Sequence, residues 1–170
     1  AVVSGLLSVG CKVVDLGIVS TPTLLLAVEE SDAKGGICIT ASHNPAEWNA
    51  LKLIDENGLF LFPERAEALF STLENEVTYV EWNELKEVEY DYEAAFRHIQ
   101  KILSIPYIDL DAIRKRQFRV VLDSVNGAGG TISPALLMEL GCEVIELNTE
   151  PTGHFAHNPE PLAKNLAQIC

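Results

Sequence analysis

The chain alternates between two kinds of apolar pattern. Short runs rich in apolar residues read as strands: Ile37-Cys38-Ile39-Thr40, which carries a buried-strand signal, then Leu51-Lys52-Leu53-Ile54, Phe118 to Asp123 and Cys142 to Leu147. Cys11 to Leu16 is a shorter strand candidate. Between these runs, apolar residues recur at helical spacing. Tyr92, Ala95, Phe96, Ile99, Ile102 and Leu103 fall on one helix face, and Pro106 ends that helix. Thr21 is placed to cap a helix with an apolar body from Leu24 to Val28, and Pro22 suits its first turn, where its missing N–H would be unpaired anyway. Pro63 starts a helix over Glu64 to Leu73. Further helices are predicted over residues 1–9, stopped by Gly10, over Asp109 to Arg116, and over Thr131 to Leu140, closed by Gly141. Leu162 to Cys170 reads as an unfinished helix, and Asn57-Gly58 as a tight turn.

This order predicts an α/β fold, with mixed sheets flanked by helices. With 170 residues there is room for one large domain or two small α/β units. The expected division is 1–90 and 91–170, the boundary falling between about residues 90 and 115. The segment from Glu74 to Glu93 is acidic and offset only by Lys86. A solvated connector with a polar strand or turn is preferred there over a binding tail for a basic partner. The opening lacks a Met and is already apolar, so the chain is expected to be part of a longer polypeptide.

Charge narrows the function. A net charge of -13 argues against nucleic acid, which is held by Lys and Arg neutralising phosphates. No apolar run reaches the roughly 20 residues that span a bilayer, and no secretory signal is visible. Cys11, Cys38, Cys142 and Cys170 lie far apart with no CxxC pair, which reads as reduced thiols in a cytoplasmic protein, three of them in apolar strands.

The segment richest in chemistry is Gly36 to Pro45. A buried strand runs into a loop that carries a hydroxyl, an imidazole and an amide at Ser42, His43 and Asn44. Pro45 keeps Asn44 out of the helical region, so the loop is held extended at a strand end, where α/β sheets place their sites. A nucleophile that stores phosphate splits a transfer between two distant hydroxyls into two in-line steps. Such a carrier must project from a rigid frame into a site that neutralises charge. Ser42 can carry the phosphate, His43 can donate a hydrogen bond or a proton, and Lys52 can offset phosphate charge from the next strand. The plainer alternative is an ordinary turn in which Ser42 and Asn44 bond their own backbone.

Thr40-Ala41-Ser42-His43-Asn44-Pro45, followed by Asn49-Ala50-Leu51-Lys52, resembles the phosphoserine loop of the α-D-phosphohexomutase superfamily. Val14-Asp15-Leu16-Gly17 with Ser20-Thr21-Pro22-Thr23 resembles the strand and helix entry before that loop. Val121 to Gly129 resembles the start of the family's second domain, and Asn158-Pro159-Glu160-Pro161 the segment leading toward its metal loop. The resemblance implies domain I, lacking its N-terminal part, joined through a linking helix to an incomplete domain II. It implies a phosphohexose mutase that interconverts the 1- and 6-phosphates of a hexose, of the phosphoglucosamine, phosphomannose or phosphoglucose groups. Glucosamine phosphate or mannose phosphate is the favoured substrate. Ser42 is then the phosphate carrier, with one phosphate oxygen on Mg²⁺. His43 and Lys52 would be catalytic and Asn44 and Asn49 would contact substrate, with a hexose 1,6-bisphosphate as activator and intermediate. The chain departs from the family at Ala50, where many relatives have Gly, and Trp48 beside it is expected to be structural. No Asp-x-Asp-x-Asp metal loop occurs, so the chain alone is expected to have little or no activity.

Other candidates are weaker. Ser124 to Gly130 reads as a tight strand-to-helix turn in preference to an anion cradle, because it lacks the spacing of known phosphate loops. His154 and His157, with Glu160 near, read as a solvent loop in preference to a zinc site. Asp15, Asp55 and Asp123 sit at strand ends, where capping and turn roles are expected. Two rival functions remain: a non-catalytic phosphosugar-binding or interaction protein that keeps the fold, and a phosphoserine hydrolase, for which no water-activating base other than His43 is evident.

Overall fold

A computed structural model describes residues 1–45 and 47–169. In chain order it contains α1 (Val2–Ser8), β1 (Val13–Asp15), α2 (Thr21–Glu29), β2 (Gly36–Ile39), β3 (Leu51–Ile54) and α3 (Pro63–Thr72). There follow β4 (Val88–Tyr90), α4 (Ala94–Leu103), α5 (Leu110–Arg116), β5 (Arg119–Asp123), α6 (Gly129–Glu139) and β6 (Glu143–Leu147). The α/β reading holds, and the strands of the described residues form three two-stranded sheets, two parallel and one antiparallel. β1 and β4 pair in parallel, β2 and β3 form an antiparallel hairpin, and β5 and β6 pair in parallel around α6.

Local chemistry explains most element ends. Ser20, and not Thr21, caps α2: its Oγ accepts the Thr23 N–H at 3.4 Å, leaving Thr21 as the first helical residue and Pro22 in the first turn. Asp109 caps α5 by accepting the Ala112 N–H at 2.9 Å. The turn after β3 is built on Asp55, whose Oδ1 accepts the N–H groups of Asn57 and Leu59 at 2.9 and 3.0 Å. Gly58 in that turn has φ +72°, and a Cβ there would meet the Leu25 carbonyl oxygen at 2.4 Å, so only glycine lets the turn approach α2.

The acidic connector carries a polar strand of the kind expected, β4, which returns to pair with β1 in register Val13 with Val88, and Lys12 bonds Glu89 at 2.8 Å beside it. Two expectations differ from the structure. Residues 162–169 form a single 3-10 turn at Ala163–Asn165 and not a helix, since the Asn165 amide bonds the Glu160 carbonyl at 2.7 Å. Cys170 lies outside the described residues. Cys38 is in β2, whereas Cys11 and Cys142 each sit just before a strand and Cys11 is exposed; these three thiols are free.

The core is thin and centred on α2 and α4. Its buried apolar residues are Val13, Val28, Ile54, Ala94, Ile99 and Ile132. α4 packs against both α2 and α6. Of its apolar stripe, Ile99 is buried, but Tyr92 just before the helix and Phe96 within it are exposed.

Candidate active site

The β2–β3 ladder extends one residue beyond the strands. Thr40 and Ala50 exchange both backbone bonds, at 3.0 and 3.1 Å, closing a loop over residues 41–49. Ala50 therefore sits in the ladder as an ordinary strand residue, which explains why the departure from Gly is tolerated. Within the loop the Asn44 N–H donates to the Ala41 carbonyl at 3.0 Å, and the Ser42 N–H donates to Thr40 Oγ1 at 3.0 Å. Ser42 has φ +58°, a left-handed conformation unusual outside glycine, and it is exposed. His43 Nδ1 lies 3.3 Å from Ser42 Oγ. Asn49 caps its own neighbour, its Oδ1 accepting the Ala50 N–H at 3.0 Å, and Trp48 is 62% exposed.

The same geometry recurs across the cleft. At the end of β5, Val125 and Asn126 have φ +46° and +57°, the first an outlier for a β-branched residue. Asp123 secures them. Its Oδ1 accepts the Val125 N–H at 2.9 Å and the Asn148 Nδ2 at 3.1 Å, while Oδ2 meets His157 Nε2 at 2.8 Å. The Asn126 N–H donates to the Asn148 carbonyl at 2.6 Å. Burial alone would raise the Asp123 pKa, but the bonds from His157, Val125 and Asn148 outweigh it and hold the carboxyl below its ordinary value.

The two loops face each other. Thr40, Ala41, Ser42 and His43 line one wall of a cleft of about 320 Å³, and Ser124, Val125 and Gly127 to Gly129 line the opposite wall. Phe155 and Pro159 close the rim. Ser42 and His43 are thus brought together, facing the first turn of α6. Lys52 is placed elsewhere. It lines a separate apolar groove with Leu53, Phe60 and Ala66, and its Nζ stands 5.7 Å from the Phe60 ring centroid. Asn44 and Asn49 are exposed and lie outside the lining of the cleft. Among the described residues no lysine or arginine lines the cleft, and no group of three His, Cys, Asp or Glu side chains is arranged to hold a metal ion.

The strand-end aspartates take the expected turn roles, Asp15 by accepting the Gly17 N–H at 2.8 Å. The further link from Asp123 to His157 was missed. Its signal was faint: an Asp at a strand end before a polar turn, and a His in a Pro- and Asn-rich segment 34 residues later.

Two family profiles match this chain. The one described as phosphoglucomutase/phosphomannomutase, alpha/beta/alpha domain I, covers residues 1–80, and that for alpha/beta/alpha domain II covers residues 96–170. The chain belongs to the phosphoglucomutase/phosphomannomutase family. A Thermococcus kodakarensis protein named "Phosphoglucomutase/phosphomannomutase" is 44% identical over 169 residues, covering 98% of this chain and 36% of that protein. A Methanopyrus kandleri protein named "Probable phosphoglucosamine mutase" is 40% identical over 170 residues, covering 99% of this chain and 36% of that protein. A crystal structure of a phosphoglucomutase/phosphomannomutase family protein from Burkholderia thailandensis superposes with a TM-score of 0.74 at 26% identity, covering 97% of this chain and 36% of that one. The chain thus spans about 36% of the length of these curated relatives.

Proposed function

We propose that this chain carries the phosphoserine half-site of a phosphohexose mutase, with Ser42 as the phosphate carrier. The observation that supports this best is the pairing of Ser42 Oγ with His43 Nδ1 at 3.3 Å, on a left-handed turn that projects both into the cleft. In the first transfer a hydroxyl of the hexose phosphate attacks the phosphorus of phosphoserine 42. The bond from phosphorus to Ser42 Oγ breaks, leaving a hexose 1,6-bisphosphate. In the second, Ser42 Oγ gives up its proton and attacks the other phosphoryl group, the bond from that phosphorus to the sugar oxygen breaks, and that oxygen leaves as a protonated hydroxyl while phosphoserine 42 is restored. His43 is the group in reach to exchange a proton with Ser42 Oγ. The first turn of α6 lines the same cleft, and the positive end of its helix dipole favours negative charge there. Lys52 would have to turn away from Phe60 to assist, a movement its four-carbon stem permits. Asn44 and Asn49, exposed on the same loop as Ser42, are proposed substrate contacts.

The sugar is proposed to be glucosamine phosphate or mannose phosphate, after the names that the relatives carry. Mg²⁺ would neutralise phosphoryl charge when bound, but the described side chains do not make a site for it by themselves. The one ligand proposed from this chain is an oxygen of the phosphate on Ser42. The two units are proposed to divide near residue 90, after β4 rejoins β1 and before α4 begins.

A second reading, a phosphosugar-binding protein that keeps the mutase shape, draws on the lack of Lys and Arg among the described cleft residues. Intact mass and peptide mapping of the intact protein, before and after incubation with glucose 1,6-bisphosphate, separates the two. Phosphate on Ser42 is expected. No phosphate there under any condition would favour the binding protein.

A further inference from the structure

Segment 150–161 has no regular secondary structure, yet it forms the rim of the cleft. Its burial alternates: Phe155, His157 and Pro159 are half-buried, while His154, Ala156 and Asn158 are exposed. One face of the extended segment therefore turns inward. Phe155 and Pro159 line the cleft, and His157 between them reaches Asp123. The segment is tethered to the Asp123–Asn126 turn at three places. The Gly153 N–H donates to the Asn126 carbonyl at 3.0 Å, Asn126 Nδ2 donates to the His154 carbonyl at 3.0 Å, and His157 meets Asp123 at 2.8 Å.

The third tether differs in kind. His157 Nε2 faces the Asp123 carboxylate, and its Nδ1 faces the Asn158 carbonyl at 2.9 Å. Both partners are pure acceptors, so a neutral ring with one N–H satisfies one of them and an imidazolium satisfies both. The Asp123 side chain is 2% exposed and the His157 side chain 20%. A carboxylate so buried needs a partner of opposite charge, and losing that partner is costly.

Resting on the reading of the cleft as the sugar-phosphate site, we infer that His157 is a positioning residue: as an imidazolium latched to Asp123, it holds Phe155 and Pro159 as the cleft wall that orients the hexose phosphate toward Ser42. The bonds to Asp123 and to the Asn158 carbonyl favour the protonated ring and raise its pKa, against a smaller opposing effect of burial. From β5, the charged group acting on the ring is Asp123; Asn148 at the end of β6 and the Val125 N–H contribute neutral bonds to that carboxylate. As pH rises through the His157 pKa the ring loses one of its two bonds. The wall loosens, with Gly153 and Asn126 still attached.

The test uses the intact protein, with affinity for mannose 6-phosphate and glucosamine 6-phosphate measured by calorimetry from pH 6 to 9. Hydrogen-exchange protection of residues 150–161 is followed in parallel. Wild-type affinity and protection are expected to fall together through one inflection. His157→Gln, which keeps a donor toward Asp123 but cannot charge, is expected to lose that inflection and bind about tenfold more weakly at pH 6, the roughly 1.4 kcal/mol of one hydrogen bond to a charged group. Unchanged affinity and pH profile in His157→Gln would overturn the inference, as would a lower melting temperature with affinity intact, since that is a purely structural role. Mapping of phosphate on Ser42 in the same samples keeps the two ideas apart. Absence of phosphate in wild type removes the carrier reading and leaves the latch result standing.

Discussion

Thr23 Oγ1 lies 3.0 Å from His98 Nδ1, joining α2 to α4 in the most buried polar position of the described chain. Thr23 is 1% exposed and also meets Ser20 Oγ at 2.8 Å, so the helix cap and the contact between the two helices share one hydroxyl. Burial lowers the His98 pKa, more than the charge of Glu30 raises it. Replacing the hydroxyl by a methyl in Thr23→Val leaves His98 without its partner, at an expected cost of about 1–2 kcal/mol. Thermal unfolding of the two proteins at pH 7.5 measures it. An unchanged melting temperature would mean that water replaces the hydroxyl at no cost.

The same pair sets a dependence on pH. A histidine with a lowered folded pKa is neutral in both states above about pH 6.5, the ordinary value. Below it the unfolded chain takes up a proton that the folded chain refuses, so stability falls as pH drops toward the folded pKa. His157 acts in the opposite direction. Its raised pKa gives stability that is fully present below about pH 6.5 and lost as pH rises through the folded value. Stability is therefore expected to peak near neutrality. His98→Gln should remove the loss on the mildly acidic side and His157→Gln the loss on the alkaline side, both followed by urea unfolding.

Asp55 governs stability at lower pH. The Leu59 N–H most strongly lowers its pKa, burial opposes, and the Asn57 N–H and the Arg65 guanidinium at 3.2 Å add to the lowering. Stabilisation from Asp55 is present above the ordinary carboxylate value, about 3.9, and is lost as pH falls through the lowered folded value. Asp55→Asn should melt earlier than wild type at pH 6, and the gap should close toward pH 3. A gap independent of pH would show that the turn depends on shape alone.

Much of this was legible because it is local. The strands β3 and β5, the short helix after Asp109, the Asn-Gly turn and the Ser-His-Asn-Pro loop are each encoded within a few residues. What failed was either degenerate or distant. Ser20 and Thr21 are adjacent hydroxyls that could equally cap α2, and only the fold selects Ser20. Leu162, Leu166 and Ile169 have helical spacing, but the Asn165 side chain captures the Glu160 carbonyl. The pairings of β1 with β4 and of Asp123 with His157 join segments far apart in sequence, which no local pattern records.

Ser42 carries a backbone demand as well as a hydroxyl. At φ +58° a residue with a Cβ is strained by about 1–2 kcal/mol, and a β-branched one more so. Ser42→Gly should stabilise or leave unchanged the loop while abolishing phosphorylation. Ser42→Thr keeps a hydroxyl but should distort the turn, slowing phosphorylation by about tenfold for each roughly 1.4 kcal/mol of misplacement. Timed peptide mapping with glucose 1,6-bisphosphate reads both. A threonine variant phosphorylated as fast as wild type would show that the left-handed turn is not needed for transfer.

Gly130 poses two opposed effects of known size. It lies in the first turn of α6, and by helix propensity alone Gly130→Ala should stabilise by about 1 kcal/mol. A Cβ there, however, would stand 1.9 Å from the Thr149 carbonyl oxygen and 2.7 Å from its carbon. Both are backbone atoms, so no flexible side-chain end can give way. Forcing them apart is expected to cost about 1–3 kcal/mol or more. Packing therefore wins, and the melting temperature should fall. The displacement should also reach the cleft, because the neighbouring Asn148 carbonyl accepts the Asn126 N–H at 2.6 Å and its amide bonds Asp123. Affinity for mannose 6-phosphate is expected to fall with stability in Gly130→Ala. A rise in melting temperature would show that α6 can move away from β6, and that the close approach is not what holds the Asp123–Asn126 turn in place.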